Sequence, residues 1–397
     1  MTALITTPEG LARLAGDLVG VDAAGLDTEF VSERTYRPVL CLVSLAWPGG
    51  EAVVDAIALP DLRPLAPALT RPGFALVLHA ASQDLVLLEE RLGSVPKFVF
   101  DTQLAGAFLG HGQISYERLV QAVLGIRLEG ASGYSDWTRR PLSEEQLRYA
   151  REDARHLPAL HRALATDLDR RGRREWFEEE CRLLRERSLT ESAAGEAWQR
   201  VDGARRLKPS QMAVLRELAA WREDEARRAD LPVGYVIRDA ALTALAQQAP
   251  RDLEALGRVR GMAGGQLRRY GKDLLAAIER GLACPREGWP ELPEPPREEP
   301  GVRLVSDFLA SWVRKRAQEE GLTGSLLATR DDVAALVRWH RAGECGALPR
   351  VFAGWRRGLV GDELVDLLEG KLALALVEGG LRLVRPGSSG AGRRSRP

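Results

Sequence analysis

The chain has 397 residues, of which 45% are apolar and 28% charged. That composition excludes a largely disordered or collagen-like chain and leaves room for several domains of about 100–200 residues each. Basic and acidic residues balance at 56 each, so the total charge announces no polyanionic partner. Cys41, Cys181, Cys284 and Cys345 lie far apart with no C-x-x-C pair, which argues against a disulfide framework or a thiolate zinc site. With no long apolar run and no basic start before one, neither a membrane span nor a secretion signal is expected, and a cytoplasmic location is.

In chain order, β and α signals alternate first. Short strands are expected at 22–30, 39–47, 51–57, 74–79 and 97–101, and helices at 8–19, 60–70 and 82–92. Pro38 and the Pro-Gly-Gly turn at 48–50 bound a run expected to return antiparallel to its neighbours. Helical patterns follow at 102–110 and 115–125, then one long run at 143–169 opened by Ser143, and another at 174–188. Residues 1–200 therefore suggest a mixed sheet flanked by helices.

Beyond residue 200 no strand is expected. Within 203–285, expected as one domain, residues 207–284 suggest four or five short helices, with Pro209, Pro232 and Pro250 near helix starts and GMAGG as a late turn. The 203–285 domain carries a net charge of +5 by its own residues, against −6 for residues 1–200. A linker with six prolines spans 285–301. A second helical block is expected at 302–384 and a low-complexity, disordered tail at 385–397.

Three acidic groups carry chemistry. Asp27 and Glu29 in LDTEF are two apart on an expected strand, so their side chains share a face while Thr28 points away. Paired carboxylates suit Mg²⁺ or Mn²⁺, although a solvent-facing strand edge gives the same pattern. Asp84 in LHAASQDL falls in the first turn of a helix that follows a strand. It is either a dipole-favoured first-turn carboxylate or a ligand at the strand ends where α/β proteins gather them. Tyr149 and Asp153 in YAREDARHL stack on one helical face. A packed tyrosine beside a surface ion pair is the plain alternative.

In combination these groups are more specific. D-x-E on a strand, then an aspartate at a strand-to-helix junction, then Y-x-x-x-D on a later helix resembles the tyrosine subgroup of the DEDD exonucleases. LDTEF, ERTYRPVLCLVSL, LHAASQDL, FDTQLAGAFLG and SDWTRRPLSEEQLRYAREDARHL together resemble the ribonuclease D family. The segment from KPSQMAVLREL to GKDLLAAI is similar to the helicase-and-ribonuclease-D C-terminal module, HRDC. The match is traceable from about residue 3 to 285, with a more diverged second module to about 370.

The resemblance implies an α/β ribonuclease H-like exonuclease domain, with a mixed sheet flanked by helices, followed by all-α HRDC-type helical domains. It implies a site for two divalent metal ions, Mg²⁺ or Mn²⁺. Asp27 would bridge both, Glu29 and Asp153 would complete the nucleophile-side ion, and Asp84 would hold the second. Tyr149 would orient the attacking water. The implied activity is 3′–5′ exoribonuclease cleavage releasing nucleoside 5′-monophosphates, with transfer RNA precursors as RNA partners, no membrane, and no evident protein partner. A DNA-directed exonuclease and a non-catalytic nucleic-acid scaffold are the alternatives.

The sequence departs from the family pattern at Gly130, where a lysine is expected, and at Gln83, where an acidic residue also occurs. His79 at a strand end fits a packed neighbour better than a catalytic group. Asp101 fits a cap for the helix at 102–110, and Phe30 and Trp137 fit core packing better than base stacking. His111, His156, His161 and His340 show no useful ligand spacing. The basic residues of 203–285, including Arg205, Arg206, Lys208, Arg227, Arg228, Arg268, Arg269 and Lys272, would track phosphates without reading sequence.

Overall fold

A computed structural model of the chain describes residues 4–128, 136–191, 197–290 and 300–386. The N-terminal half runs β1 (Leu4–Ile5), α1 (Pro8–Asp17), β2 (Ala23–Val31), β3 (Val39–Trp47), β4 (Gly50–Asp55), α2 (Ala66–Leu69), β5 (Ala75–Leu78), α3 (Ser82–Leu92) and β6 (Val99–Asp101). It continues with α4 (Thr102–Phe108), α5 (Tyr116–Leu124), α6 (Glu144–Arg155), α7 (Leu157–Arg170) and α8 (Arg174–Glu191). The six strands form one sheet in the order β1-β4-β3-β2-β5-β6. As expected, β3 runs antiparallel to both β2 and β4, while β2–β5, β5–β6 and β1–β4 are parallel.

Apolar side chains close the sheet on both sides. Leu26, Leu40 and Leu76 join Leu11, Leu14, Leu85 and Leu88 of α1 and α3 in one buried cluster. Cys41, Leu42 and Val53 join Trp137 and Ala150 of α6 in another. Ser143 opens α6 with a capping box: its hydroxyl accepts from the Gln146 amide, and the Gln146 side chain accepts from the Ser143 amide.

The run expected as one helix over 143–169 is two, broken at His156. Pro158 sits in the first turn of α7, where its missing amide is tolerated. The helix expected at 60–70 is a 3₁₀ turn at Arg63–Leu65 followed by the single turn α2. Strand β1 was not expected; two residues are too few to leave a periodic signal.

Residues 203–285 hold α9 (Pro209–Ala229), α10 (Val233–Val236), α11 (Asp239–Gln248), α12 (Leu253–Gly257) and α13 (Gly264–Leu282) around their own core of Leu215, Leu218, Leu242, Leu245, Leu274 and Ile278. Two of these five helices are long rather than short. The residues expected as linker end earlier than 301, because α14 (Pro300–Glu320) begins at Pro300. It is followed by α15 (Gly324–Leu327), α16 (Arg330–Arg341) and α17 (Asp362–Leu368).

The expectation of an all-helical second half is corrected at 373–384. Strands β7 (Ala373–Val377) and β8 (Gly380–Val384) pair antiparallel. Glu378 and Gly379 between them both take positive φ, the conformation of a two-residue hairpin turn. The tail expected beyond 385 lies outside the described residues from 387 onward.

The 302–384 block shares a core with the N-terminal half. Trp312, Val313 and Trp355 belong to one buried cluster with Phe100, Phe108 and Phe177, and Trp176 stacks on Trp355 at 5.2 Å. The Thr323 amide donates to the Ala107 carbonyl at 3.0 Å. Arg356, 1% exposed, pairs with Glu180 of α8 at 2.5 Å.

Candidate active site

Strand β2 carries Asp27 and Glu29 one face apart from Thr28, and α6 crosses that face. Carboxylate oxygens of Asp27, Glu29 and Asp153 all lie within 4.8 Å of one another. Asp84 reaches the group from α3. Beyond Gly25, where the β2–β5 pairing ends, the edge of β2 is open to the first turn of that helix.

Thr28 does more than point away. Its hydroxyl donates to Asp84 Oδ1 at 2.5 Å, so the residue between the two β2 carboxylates holds the third. Sequence spacing gave no signal for this, since the contact depends on where α3 docks. Tyr149 lies one turn before Asp153 and hydrogen-bonds to it. Its ring packs against Trp137 with centroids 5.9 Å apart. The sheet and α6 thus bring Asp27, Glu29, Tyr149 and Asp153 together, while Asp84 stands outside the group within 4.8 Å and is held beside it by Thr28.

The electrostatics are those of a site built for cations. Burial, then repulsion from Asp84, Asp153 and Glu29, holds the Asp27 carboxyl well above the usual range. Burial and then Asp153 and Asp84 push Glu29 up to about 8. Burial pushes Asp84 up to about 6, although the Thr28 hydroxyl favours its charge. Burial likewise pushes Asp153 up to about 6 against the Tyr149 hydroxyl. Burial and the Asp153 charge drive the Tyr149 phenol upward, so it stays protonated at neutral pH. An all-oxygen set of this charge fits hard divalent ions.

Neighbouring residues set the geometry. Asp101 caps α4 as expected, accepting from the Leu104 amide at 3.0 Å. It also accepts from the Ala80 and Ala81 amides at 3.3 and 2.9 Å. Those amides belong to the turn that launches α3, where Ala80 takes the left-handed φ of 58°. Gly25 permits the close approach of β2 to the α6–α7 break: a Cβ there would lie 2.4 Å from Leu157 Cβ.

His79 sits on Thr102 Oγ1 through Nδ1 and on the Ile114 carbonyl through Nε2, with its pKa lowered by burial. It is a packed neighbour. Trp137 is buried, whereas Phe30 is half-buried and lines a cavity of about 550 Å³ with Ser82, Gln83, Val86, Leu184 and Arg187. Gly130 lies outside the described residues.

Of the basic residues noted between 203 and 285, Arg227, Arg228 and Arg269 form ion pairs with Asp224 or Glu225. Arg206, Arg268 and Lys272 form none among the described residues.

The profile of a family described as 3′–5′ exonuclease matches residues 2–169, and that of the HRDC domain matches 211–278. A ribonuclease D of Nitrobacter hamburgensis is 36% identical over 96% of this chain and 98% of its own. The chain belongs to the ribonuclease D family. It is accordingly a hydrolytic 3′–5′ exoribonuclease.

The crystal structure of ribonuclease D from Escherichia coli superposes with a TM-score of 0.83 at 32% identity, covering 93% of this chain and 99% of that one. The catalytic core of RRP6 from Trypanosoma brucei shares the fold, with a TM-score of 0.57 at 23% identity over 71% of this chain. No helix among the described residues is long and apolar enough to cross a membrane.

Proposed function

We propose that this ribonuclease D family member removes nucleotides one at a time from RNA 3′ ends as 5′-monophosphates, using two divalent ions, Mg²⁺ or Mn²⁺. The observation that carries this reading is the cluster of Asp27, Glu29 and Asp153, with oxygens within 4.8 Å of one another, joined by Asp84 through Thr28. Asp27 would serve both ions, Glu29 and Asp153 would complete the first, and Asp84 would hold the second. When bound, the ions supply a nucleophilic water at neutral pH and stabilise the leaving 3′-oxygen.

The remaining work falls to the chain. Tyr149, protonated and fixed between Trp137 and Asp153, orients the attacking water by hydrogen bonding and does not act as the base.

The proposed division is an exonuclease domain at 1–200, an HRDC domain at 203–285, a proline-rich linker from 286 to the start of α14 at Pro300, and a second HRDC-like block from there to 384, with a tail beyond. The HRDC domain holds the RNA by its phosphates, and transfer RNA precursors with extra 3′ nucleotides in the cytoplasm are the proposed substrates.

The test uses 5′-labelled RNA and DNA oligonucleotides of one sequence, incubated with the full chain and Mg²⁺, Mn²⁺ or chelator. Metal-dependent shortening of RNA from its 3′ end is expected. Equal shortening of DNA would overturn the RNA preference, and cleavage in chelator would overturn the metal site.

A further inference from the structure

Asp153 lies one turn before the point at which α6 gives way to α7. In an unbroken helix the His156 amide would donate to the Glu152 carbonyl. Here the Tyr116 hydroxyl, from the first turn of α5, stands between them. It donates to Glu152 O at 3.1 Å and accepts from His156 N at 3.2 Å. The same amide also faces the Ala154 carbonyl.

Pro158 does not account for this insertion. A proline at 158 removes the donor to the Ala154 carbonyl and disfavours helix through Leu157, so it breaks the helix, but it places no group between Glu152 O and His156 N. A side chain inserted into the backbone ladder is one of the few causes of a sharp helix break.

Tyr116 is itself held. Its ring stands edge-on to His79 at 5.8 Å, and His79 is anchored to Thr102 and to Ile114, two residues before the tyrosine. Against the same break lies β2, at the one residue, Gly25, whose missing Cβ admits Leu157. Gly25 is two residues from Asp27 on the strand. The break is therefore gripped by α5 and by the strand that carries Asp27.

We propose that Tyr116 is a positioning residue for the exonuclease reaction. Its hydroxyl, inserted between Glu152 O and His156 N at the break that Pro158 opens, fixes the geometry of the last turn of α6 and so sets the Asp153 carboxylate against Asp27 and Glu29. The inference rests on the proposed role of Asp153 as a metal ligand.

Tyr116→Phe keeps the ring against His79 and removes only the bridge, leaving Glu152 O and His156 N to pair with each other. Calorimetric titration of the full-length variant with Mn²⁺ is expected to show affinity lowered about tenfold, the range for losing a residue that orients a ligand. The half-saturating Mn²⁺ for RNA hydrolysis should rise in step, and kcat should fall, while KM for the oligonucleotide stays within about twofold of wild type.

Asp153→Asn is measured alongside. If Asp153→Asn is inactive while Tyr116→Phe matches wild type in Mn²⁺ affinity and kcat, the inference fails and the site assignment stands. If Tyr116→Phe lowers only the melting temperature, the tyrosine is a packing residue and the inference fails. Wild-type turnover by Asp153→Asn would remove the assignment on which it rests.

Discussion

At Asp27 and its neighbours the protein places several carboxylates where water is scarce and like charges are close. All four have raised pKa values, so without metal the folded state binds protons that the unfolded chain has released. The sign follows: stability is unaffected below about pH 4, where the groups are neutral in both states, and falls as pH rises through 6 to 8. Chelated protein is therefore expected to melt lower at pH 8 than at pH 5, and added Mg²⁺ to raise the melting temperature more at pH 8. A melt in chelator that rises with pH would contradict the charge assignment. For the chemistry itself, Asp27→Asn or Asp153→Asn should lower kcat by at least about 1,000-fold. RNA affinity, measured by filter binding, should remain, because only ligation changes.

The elements place these residues through a few polar contacts that period and propensity do not report. Asp101 was legible as a cap because it precedes an apolar helical run, but its second hold, on the Ala80 and Ala81 amides, depends on β5 and β6 ending side by side. Asp101→Ala leaves the buried Ala81 amide and the half-buried Ala80 and Leu104 amides without this acceptor and should cost about 1–3 kcal/mol in a denaturant melt. It should also slow turnover, since α3 carries Asp84. The strands around the carboxylates were legible because β3 and β4 are apolar on both faces and bounded by turns. The break at His156 was signalled by Pro158, but the hydroxyl that fills it comes from some forty residues away in sequence and left no local trace. The β7–β8 hairpin escaped notice because LALALVEGGLRLV offers the apolar density of a helix, and only the turn at Glu378 and Gly379 selects the strand pairing.

Across the whole molecule, the HRDC domain has its own core and meets the exonuclease half at Tyr36, which packs against that core and also makes polar contacts. Tyr36, on the β2–β3 loop, donates to Glu223 of α9 at 2.8 Å and lies under Arg227. The 302–384 block differs in kind, since its apolar residues complete the cluster around Phe108 and Phe177. Glu180→Gln leaves Arg356 buried without its counter-charge, and removing one partner of such a pair costs about 3–5 kcal/mol. Hydrogen exchange is expected to accelerate in α8 and α14–α17 together, with the α9–α13 core unaffected. Uniform acceleration would show that the three parts unfold as one. Truncation after residue 290 should lower the melting temperature of the exonuclease half and create binding for a hydrophobic dye.

The core formed by Phe100, Phe108 and Phe177 with Trp312 and Trp355 also orders events at the ribosome. The strands and helices that carry the carboxylates are synthesised first, but the residues that cover one of their apolar faces come more than a hundred residues later. At about 5–20 residues per second the nascent exonuclease half waits several seconds with that face uncovered. Its folding then finishes only once the far block arrives. A nuclease built this way gains its full rigidity only after the block that holds Trp312 and Trp355 has been made.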